Sequence, residues 1–145
     1  MKKIFIAAIM AIAVSASAFA APSTVSAKIK SRFSTEFATA TNVEWKTTDT
    51  YAKASFVLNG EKVEAFYDVQ GEKIGTSKAI AFTSLSKATQ QSISKKFAGY
   101  NVKETINFTD AEEVCKQYVS LENDKSKVVL EISEGSVNVI SREKK

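Results

Sequence analysis

Apolar residues recur at every fourth position in two stretches of the chain, and this spacing is typical of one face of an α-helix. The first stripe is Val25, Ile29, Phe33 and Phe37, and the second is Leu85, Thr89, Ile93 and Phe97, with Thr89 as its one polar member. The second stripe follows the first at a constant offset. We therefore predict two helices, each burying one side, at equivalent places in two halves of the chain.

Residues that begin or end helices flank both stripes. A hydroxyl oxygen that accepts a hydrogen bond from a free backbone N–H stabilises the start of a helix. Ser23 or Thr24 is placed to cap the first helix, and Thr83 or Ser84 to cap the second. Gly99 is placed to end the second helix, since glycine adopts the left-handed conformation that is common at this point.

Between and after the helices, apolar and polar residues nearly alternate, as they do in strands with one buried face. Asn59-Gly60 interrupts this pattern, and the pair favours a tight hairpin because both residues tolerate positive φ. Gly71 and Gly135 occupy equivalent last turns of the two halves. The pattern predicts eight strands: 43–48, 51–58, 62–69 and 72–78, then 102–108, 113–121, 126–133 and 136–142.

The order of these elements is the same in both halves, a helix followed by a four-stranded antiparallel meander. An Asn-Val pair, at 42–43 and again at 101–102, follows each predicted helix. We therefore predict an α+β fold built as a tandem repeat, with repeats at about 23–80 and 83–142. Neither half alone is large enough for a sufficient core, so we expect the two sheets to join, with the helices on one face.

The alternation also assigns side chains to the two faces of the sheet. In the first half, the predicted helix-facing set is Ala54, Phe56, Leu58, Val63 and Ala65, joined by Val43 and Trp45. In the second half, three apolar residues of 126–133 can point inward, but this register slips by one against the first half. The sequence therefore does not decide which face of the second half is equivalent to the helix-facing side of the first.

The opposite face of the first half carries aromatic residues among charges. A sheet covered by helices on one side presents its other side to water or to a partner. Aromatic residues among charged ones are typical of recognition surfaces. We predict that Tyr51, Lys53 and Phe66 bind a partner. The alternative is that Tyr51 and Phe66 make ordinary cross-strand contacts on a solvent-exposed sheet face.

The chain begins with the pattern of an export signal, predicted to span residues 1–20. Two lysines precede a compact apolar stretch, 4–14, and small residues follow, with Ala18 and Ala20 at the −3 and −1 positions. A transmembrane anchor is the alternative, but the later part of this segment is mostly Ala and Ser. We expect a mature periplasmic or secreted chain, 21–145, without a membrane span.

The residue types present exclude most catalytic chemistry. The 145 residues include no His, one Cys and five Gly. This removes His-based nucleophile systems, most zinc sites and glycine-rich phosphate loops. We therefore predict a protein that is not an enzyme and that uses no cofactor or metal. Asp110, Glu112 and Glu113 could hold a hard cation loosely, but a polar turn is the favoured interpretation.

Charge and cysteine content narrow the partners further. The chain has 20 basic and 16 acidic residues, and two of the basic ones lie in the predicted signal. The excess of positive charge is small and the basic residues are interspersed with acidic ones, so the sequence does not indicate a nucleic-acid-binding surface. The basic tail, 141–145, is interpreted as a solvated end. Cys115 is expected to be a small buried hydrophobe, with an intermolecular disulfide or a reactive thiol as the alternative.

One segment, NVEWKTTDTYAKASFVLNGEKVEAFYDVQGEKIGTSKAI, resembles the exported PepSY-like proteins of Gram-negative bacteria, which are described as β-lactamase-inhibitor-protein-like. The likeness rests on the Asn-Val-x-Trp start, the strand that begins at Tyr51, the Asn-Gly turn and the second Gly turn. It implies a tandem helix-plus-four-strand fold with a joined, curved sheet over 21–145. In the β-lactamase inhibitors the open face grips an enzyme. Those inhibitors are disulfide-bonded, and a chain with one Cys cannot be.

Three hypotheses about function follow. The first is a non-enzymatic envelope protein that binds a protein or peptide on the open sheet face. The second is an envelope protein that binds a small ligand or metal in the seam between the repeats. The third is a folded packing module with no specific ligand.

Overall fold

The computed structural model describes residues 24–145, so the predicted signal, 1–20, and the cap at Ser23 lie outside the described residues. A helix, α1, is followed by four strands; a short 3-10 turn, a second helix, α2, and four more strands complete the chain. The helices are Ala27–Glu36 (α1) and Lys87–Lys96 (α2), with the 3-10 turn at Phe82–Ser84. The strands are Thr41–Thr47 (β1), Tyr51–Leu58 (β2), Glu61–Asp68 (β3), Lys73–Ala79 (β4), Asn101–Asp110 (β5), Cys115–Glu122 (β6), Ser126–Ser133 (β7) and Ser136–Lys144 (β8).

The eight strands form one sheet whose order follows the chain, β1 to β8. Neighbouring strands pair antiparallel within β1–β4 and within β6–β8. The predicted α+β class, with two helices and a mainly antiparallel sheet, is therefore confirmed. Strand bounds fall within two residues of the predicted ones, which is the usual uncertainty of element ends.

The described residues divide into two compact units. The first, here called the N-unit, contains residues 24–78 together with Phe108–Val114. The second, the C-unit, contains Ala79–Asn107 and Cys115–Lys145. The turn between β5 and β6 therefore belongs to the N-unit, although it lies far along the chain.

The core of the N-unit lies between α1 and one face of its strands. The whole first stripe contributes to it, since Ile29 and Phe33 are buried in the cluster and Val25 and Phe37 pack against it. The strand residues of this cluster are Ala52, Ala54, Phe56, Ala65 and Tyr67, with Trp45, Leu58 and Val63 packed against them. The predicted helix-facing set is thus confirmed for β2 and β3.

Val43 is the exception in that set. Its side chain is 37% exposed, and it does not join the core cluster. The register of β1 on β2 shifts between Thr41 and Glu44, and Asn42 has a φ of 53°. A bulge of this kind places two residues opposite one, so simple alternation no longer predicts the face.

The core of the C-unit uses the second stripe. Leu85, Ile93 and Phe97 are buried against apolar residues of β6 and β7, and Thr89 is buried as well. The strand residues are Val119, Leu121, Val128, Leu130 and Ile132. The inward direction of the last three settles the face of β7, which the sequence left open.

Both helices begin later than predicted. Ser26 caps α1, because its Oγ accepts a hydrogen bond from the Ile29 backbone N–H at 3.3 Å. Ser86 caps α2 in the same way, with Thr89 as the donor at 3.1 Å. The predicted caps at Thr24, Thr83 and Ser84 are therefore wrong. Each capping serine lies three residues before a buried stripe residue. The first residue of each stripe, Val25 or Leu85, therefore precedes its helix and packs from extended backbone.

Helix α2 ends earlier than expected, whereas the basic tail is exposed as predicted. Helix α2 stops at Lys96, and Gly99, with a φ of 83°, lies in the turn that follows. Residues 142–145 are exposed, as expected for a solvated end, although β8 continues to Lys144. The backbone N–H of Lys145 then donates to the Lys125 carbonyl at 2.9 Å.

Two tight hairpin turns have the same backbone conformation but different residues. Asn59-Gly60 has φ values of 51° and 82°, and Glu134-Gly135 has 50° and 80°. Positive φ at both central positions matches a type I′ turn, which Asn-Gly fills best. Glutamate is a poor residue for the first position, because its side chain disfavours left-handed backbone.

Glu134→Asn is therefore expected to stabilise the protein by about 0.5–1 kcal/mol, since asparagine tolerates this φ better. Urea unfolding of the two proteins would measure the gain as a higher midpoint with an unchanged slope. Asn59→Glu is the matched control and should lose a similar amount. An unchanged or lower midpoint for Glu134→Asn would contradict this account.

Candidate binding surface

The strand face of the N-unit that points away from α1 gathers most of the candidate residues. Ala52, Ala54 and Phe56 pack under the helix, so the residues between them along β2 point to the other side. We call this side the N-face. It consists of Tyr51, Lys53, Ser55, Glu64, Phe66 and Ser77, with Phe108 from β5.

A single carboxylate organises the polar part of the N-face. The Lys53 Nζ donates to Glu64 Oε1 at 2.7 Å, and the Ser55 hydroxyl donates to the same oxygen at 3.2 Å. The Ser77 hydroxyl donates to Oε2 at 3.4 Å. The Lys53 side chain is 16% exposed and that of Glu64 is 36% exposed. Glu64 is therefore held in place while part of it faces outward.

The aromatic part of the N-face is a row of three rings. Tyr51 and Phe66 meet edge to face, with ring centroids 5.9 Å apart. The centroids of Phe66 and Phe108 are 6.2 Å apart. Phe66 lies opposite Gly75 of β4, and the absent side chain there leaves room for Phe108, whose ring would lie 2.6 Å from a Cβ at Gly75.

This packing corrects one expectation from the sequence. Tyr51 and Phe66 were expected to be exposed, but they are only 4% and 0% exposed. The structure does bring the predicted site residues together, since Lys53 lies directly opposite Phe66 in the register. Of the three, only Lys53 offers accessible surface beyond a few per cent. Phe108 supplies the third ring of the row, and Gly75 leaves the space that it occupies. No local pattern in the sequence marks either residue.

Two tyrosines of the N-unit have raised pKa values. Burial, and then the negative charge of Glu64, raises the pKa of Tyr51 to about 12. Burial also raises the pKa of Tyr67 to about 12; Glu36 adds to this rise and Arg32 opposes it. The Tyr67 hydroxyl is buried without a hydrogen-bond partner, so it contributes desolvation cost without a compensating bond.

We expect Tyr67→Phe to leave stability at pH 7 unchanged or up to about 1 kcal/mol higher, because no hydrogen bond is lost. A tyrosine whose folded pKa exceeds its unfolded value of 10.0 stabilises the fold fully below pH 10. That contribution is lost as the pH rises from 10 towards 12. Urea midpoints measured across this range should therefore fall less steeply for Tyr67→Phe than for the wild type.

Tyr100→Phe is the matched control for that experiment. The Tyr100 hydroxyl lies 2.7 Å from the Ser126 Oγ and is hydrogen-bonded to it. Its removal should lower stability at pH 7 by about 1 kcal/mol. Equal losses for the two variants would show that the Tyr67 hydroxyl has a stabilising partner after all.

The C-unit contains a second polar group that no prediction from the sequence had indicated. Glu131 is 4% exposed, and its Oε2 accepts hydrogen bonds from the Tyr118 hydroxyl at 3.0 Å and the Lys116 Nζ at 3.2 Å. Tyr118 and Glu131 lie opposite each other in the β6–β7 register. One sequence pattern could have indicated this group. Lys116 precedes the hydroxyl residue Tyr118 by two positions on β6, and Glu131 follows on β7.

The other candidate residues do not form a site. Asp110 Oδ1 accepts hydrogen bonds from the backbone N–H groups of Glu112 and Val114, both at 3.0 Å, which makes this segment a polar turn. Within residues 24–145, no group of three or more His, Cys, Asp or Glu side chains could hold a metal. Cys115 is exposed, so its expected burial is wrong, because it follows directly on this turn at the start of β6.

No helix among the described residues has the length and apolar character that a membrane crossing requires.

Comparison with known proteins gives structural neighbours only. No family model matches the chain, and no curated protein matches its sequence. A DUF2874 family protein from Bacteroides uniformis superposes with a TM-score of 0.67 at 14% identity, covering 83% of this chain and 90% of its own. A BLIP-like protein from Bacteroides fragilis gives a TM-score of 0.63 at 18% identity, covering 85% and 88%.

A third structure, from Bacteroides eggerthii and provisionally named a periplasmic protein, gives a TM-score of 0.66 at 13% identity, covering 84% and 90%. At these identities the likeness concerns the fold alone. The chain therefore has the fold of the BLIP-like and DUF2874 proteins of Bacteroides over most of its length.

Proposed function

We propose that this chain is a non-enzymatic protein of the periplasm or the extracellular space that binds a protein or peptide through the N-face. The observation that carries the proposal is the Glu64 carboxylate, fixed by Lys53 and Ser55 and partly exposed above a packed aromatic row. A polar group that is already held in one position loses less conformational freedom when it binds a partner. In this proposal Lys53 and Glu64 touch the partner, and Tyr51 and Phe66 hold them in place.

The location rests on two supports. Residues 1–20 have the charge, apolar stretch and small residues of an export signal. A protein of the same fold from Bacteroides eggerthii is provisionally named periplasmic. We propose that the mature chain begins near Ala21 and acts outside the cytoplasm.

We also propose that 21–145 is a PepSY-like domain that arose by duplication of a helix-and-four-strand unit, at about 23–80 and 83–142. Support comes from the order of elements, since α1 and α2 are each followed by four strands. Both helices have ten residues, and a serine caps each of them. The equivalent positions of the two apolar stripes add to this support.

Site-specific photo-crosslinking in intact cells tests the binding surface. Val57 is half-buried and lies on the same side of β2 as Lys53, so a photo-reactive residue there would face a bound partner without removing a contact of Glu64. We expect a discrete adduct from this position. The matched control is Ser31, an exposed position on α1, which should give none.

Charge variants then link the adduct to the polar group. Lys53→Glu places two carboxylates together and should abolish the adduct, whereas Lys53→Arg keeps the charge and should retain it. Circular dichroism of each purified variant controls for folding. An adduct that forms equally at Val57 and Ser31, or that survives Lys53→Glu, would refute binding at the N-face.

A further inference from the structure

The C-unit contains the same polar arrangement as the N-face, built from different residues. On β2, Lys53 and Ser55 both donate to Glu64, which lies opposite Ser55 on β3. On β6, Lys116 and Tyr118 both donate to Glu131, which lies opposite Tyr118 on β7. In each case the lysine precedes the hydroxyl residue by two positions and reaches the carboxylate diagonally.

The side of the strand is also the same relative to the helix of each unit. Val119 and Leu121 pack in the α2 core, so Tyr118, between Lys116 and Ser120, points away from that helix. We call this side of β6 and β7 the C-face. Tyr118, Ser120 and Glu131 on this side are each at most 8% exposed, so Lys116 is its accessible group.

The two arrangements differ in which group a partner can reach. In the C-unit, 35% of the Lys116 side chain is exposed but only 5% of Glu131. In the N-unit the order is reversed, with 16% for Lys53 and 36% for Glu64. The C-face therefore presents a hydrogen-bond donor, whereas the N-face presents an acceptor.

Fold stability alone is a weak explanation for the ion pair of Lys116 and Glu131. A buried ion pair can often be replaced by apolar residues of similar size with no loss of stability, because desolvation offsets the attraction. The ammonium of Lys116 has three N–H donors, and the contact with Glu131 Oε2 at 3.2 Å uses one of them. Glu131 and Tyr118 fix the position of the ammonium, so less freedom is lost when it binds an acceptor.

We propose that Lys116, Tyr118 and Glu131 form a second recognition site, which takes a carboxylate of a protein partner through Lys116. Lys116 contacts the partner, and the other two residues position it. The proposal rests on the proposed function, since it assumes a protein partner. It adds the chemistry of that partner, which presents an Asp, a Glu or a chain-terminal carboxylate to the C-face.

The experiment uses a photo-reactive residue at Ser133, which is half-buried at the end of β7, on the same side of the strand as Glu131. In intact cells we expect a discrete adduct that Lys116→Arg retains and Lys116→Glu reduces at least tenfold. Lys87→Glu changes the charge equally at an exposed position of α2 and should retain the adduct. Loss of the adduct in Lys87→Glu as well would overturn the proposal.

A second variant separates recognition from folding. Lys116→Met, Tyr118→Phe and Glu131→Leu, combined in one chain, should keep or raise the melting temperature while the adduct disappears. A large fall in melting temperature would assign the group to stability and overturn the site.

The failures of the two proposals are distinguishable. An adduct at Val57 without one at Ser133 overturns the second site and leaves the N-face proposal standing. An adduct at Ser133 that follows the charge of residue 116, without one at Val57, supports the second site and refutes the N-face. The absence of an adduct at Val57 and at Ser133 would refute both the N-face proposal and the second site.

Discussion

Replacement of Gly75 by alanine is expected to lower the free energy of unfolding by more than about 3 kcal/mol, because overpacking is resisted by groups that cannot move. A Cβ at this position would lie 2.4 Å from the Thr109 carbonyl oxygen and 2.6 Å from the Phe108 ring. The first of these is backbone, so relief requires strand β5 to shift. Urea unfolding should show a much lower midpoint, or an unfolded protein.

Thr76→Ala is the control for this variant. It changes the next residue of β4, which is partly exposed, and should cost less than about 1 kcal/mol. A Gly75→Ala protein with a midpoint near that of the wild type would show that β4 and β5 do not approach each other this closely.

The second large effect is expected for Phe66→Ala, at about 3–5 kcal/mol, since deletion of a buried phenylalanine ring leaves a cavity. Phe66 is 0% exposed and contacts the rings of Tyr51 and Phe108. Thermal unfolding followed by circular dichroism would measure the loss. Because the three rings touch, the effect of Phe66→Ala and that of Phe108→Ala should not be additive.

Lys53→Ala tests the same face without removing an apolar core group. Its ion pair with Glu64 is partly exposed, so a loss of about 1 kcal/mol or less is expected. If Phe66→Ala cost no more than Lys53→Ala, the aromatic row would be an open surface, as the sequence alone suggests.

The elements of the fold could be predicted because local signals determine them. The stripe through Ile29 and Phe33 has helical spacing, and it does bury under a sheet. The alternation in β2 and β3 places Phe56 and Ala65 correctly. These patterns depend only on the period of each element, which the sequence shows directly.

Alternation failed where the backbone departs from the regular period. Val43 lies beside a bulge, and nothing in the alternating pattern marks the extra residue. The burial of Phe66 could not be predicted either, because it depends on Phe108, which lies 42 positions later, and on the small size of Gly75. Such contacts are set by strand order, which residue patterns within one segment do not reveal.

The turns show a further limit. The turn after Asp68 and the turn after Asp110 have the same form, with each Asp Oδ1 accepting hydrogen bonds from the backbone N–H groups two and four residues later. Gly71 and Gly135 were matched as last turns of the halves, yet the tight Gly135 turn has the conformation of Asn59-Gly60. Equal position in the chain therefore did not give equal geometry.

The assignment of Phe108–Val114 to the N-unit affects how the molecule is made. When only the first hundred residues are available for folding, α1, β1–β4 and α2 are present, but not the Phe108 ring that lies over Gly75. Until Phe108 emerges, one side of Phe66 lacks its neighbour, and the nascent chain carries an incomplete hydrophobic surface that is prone to misassociation. Completion of the N-unit therefore requires the end of β5, well into the second half of the polypeptide.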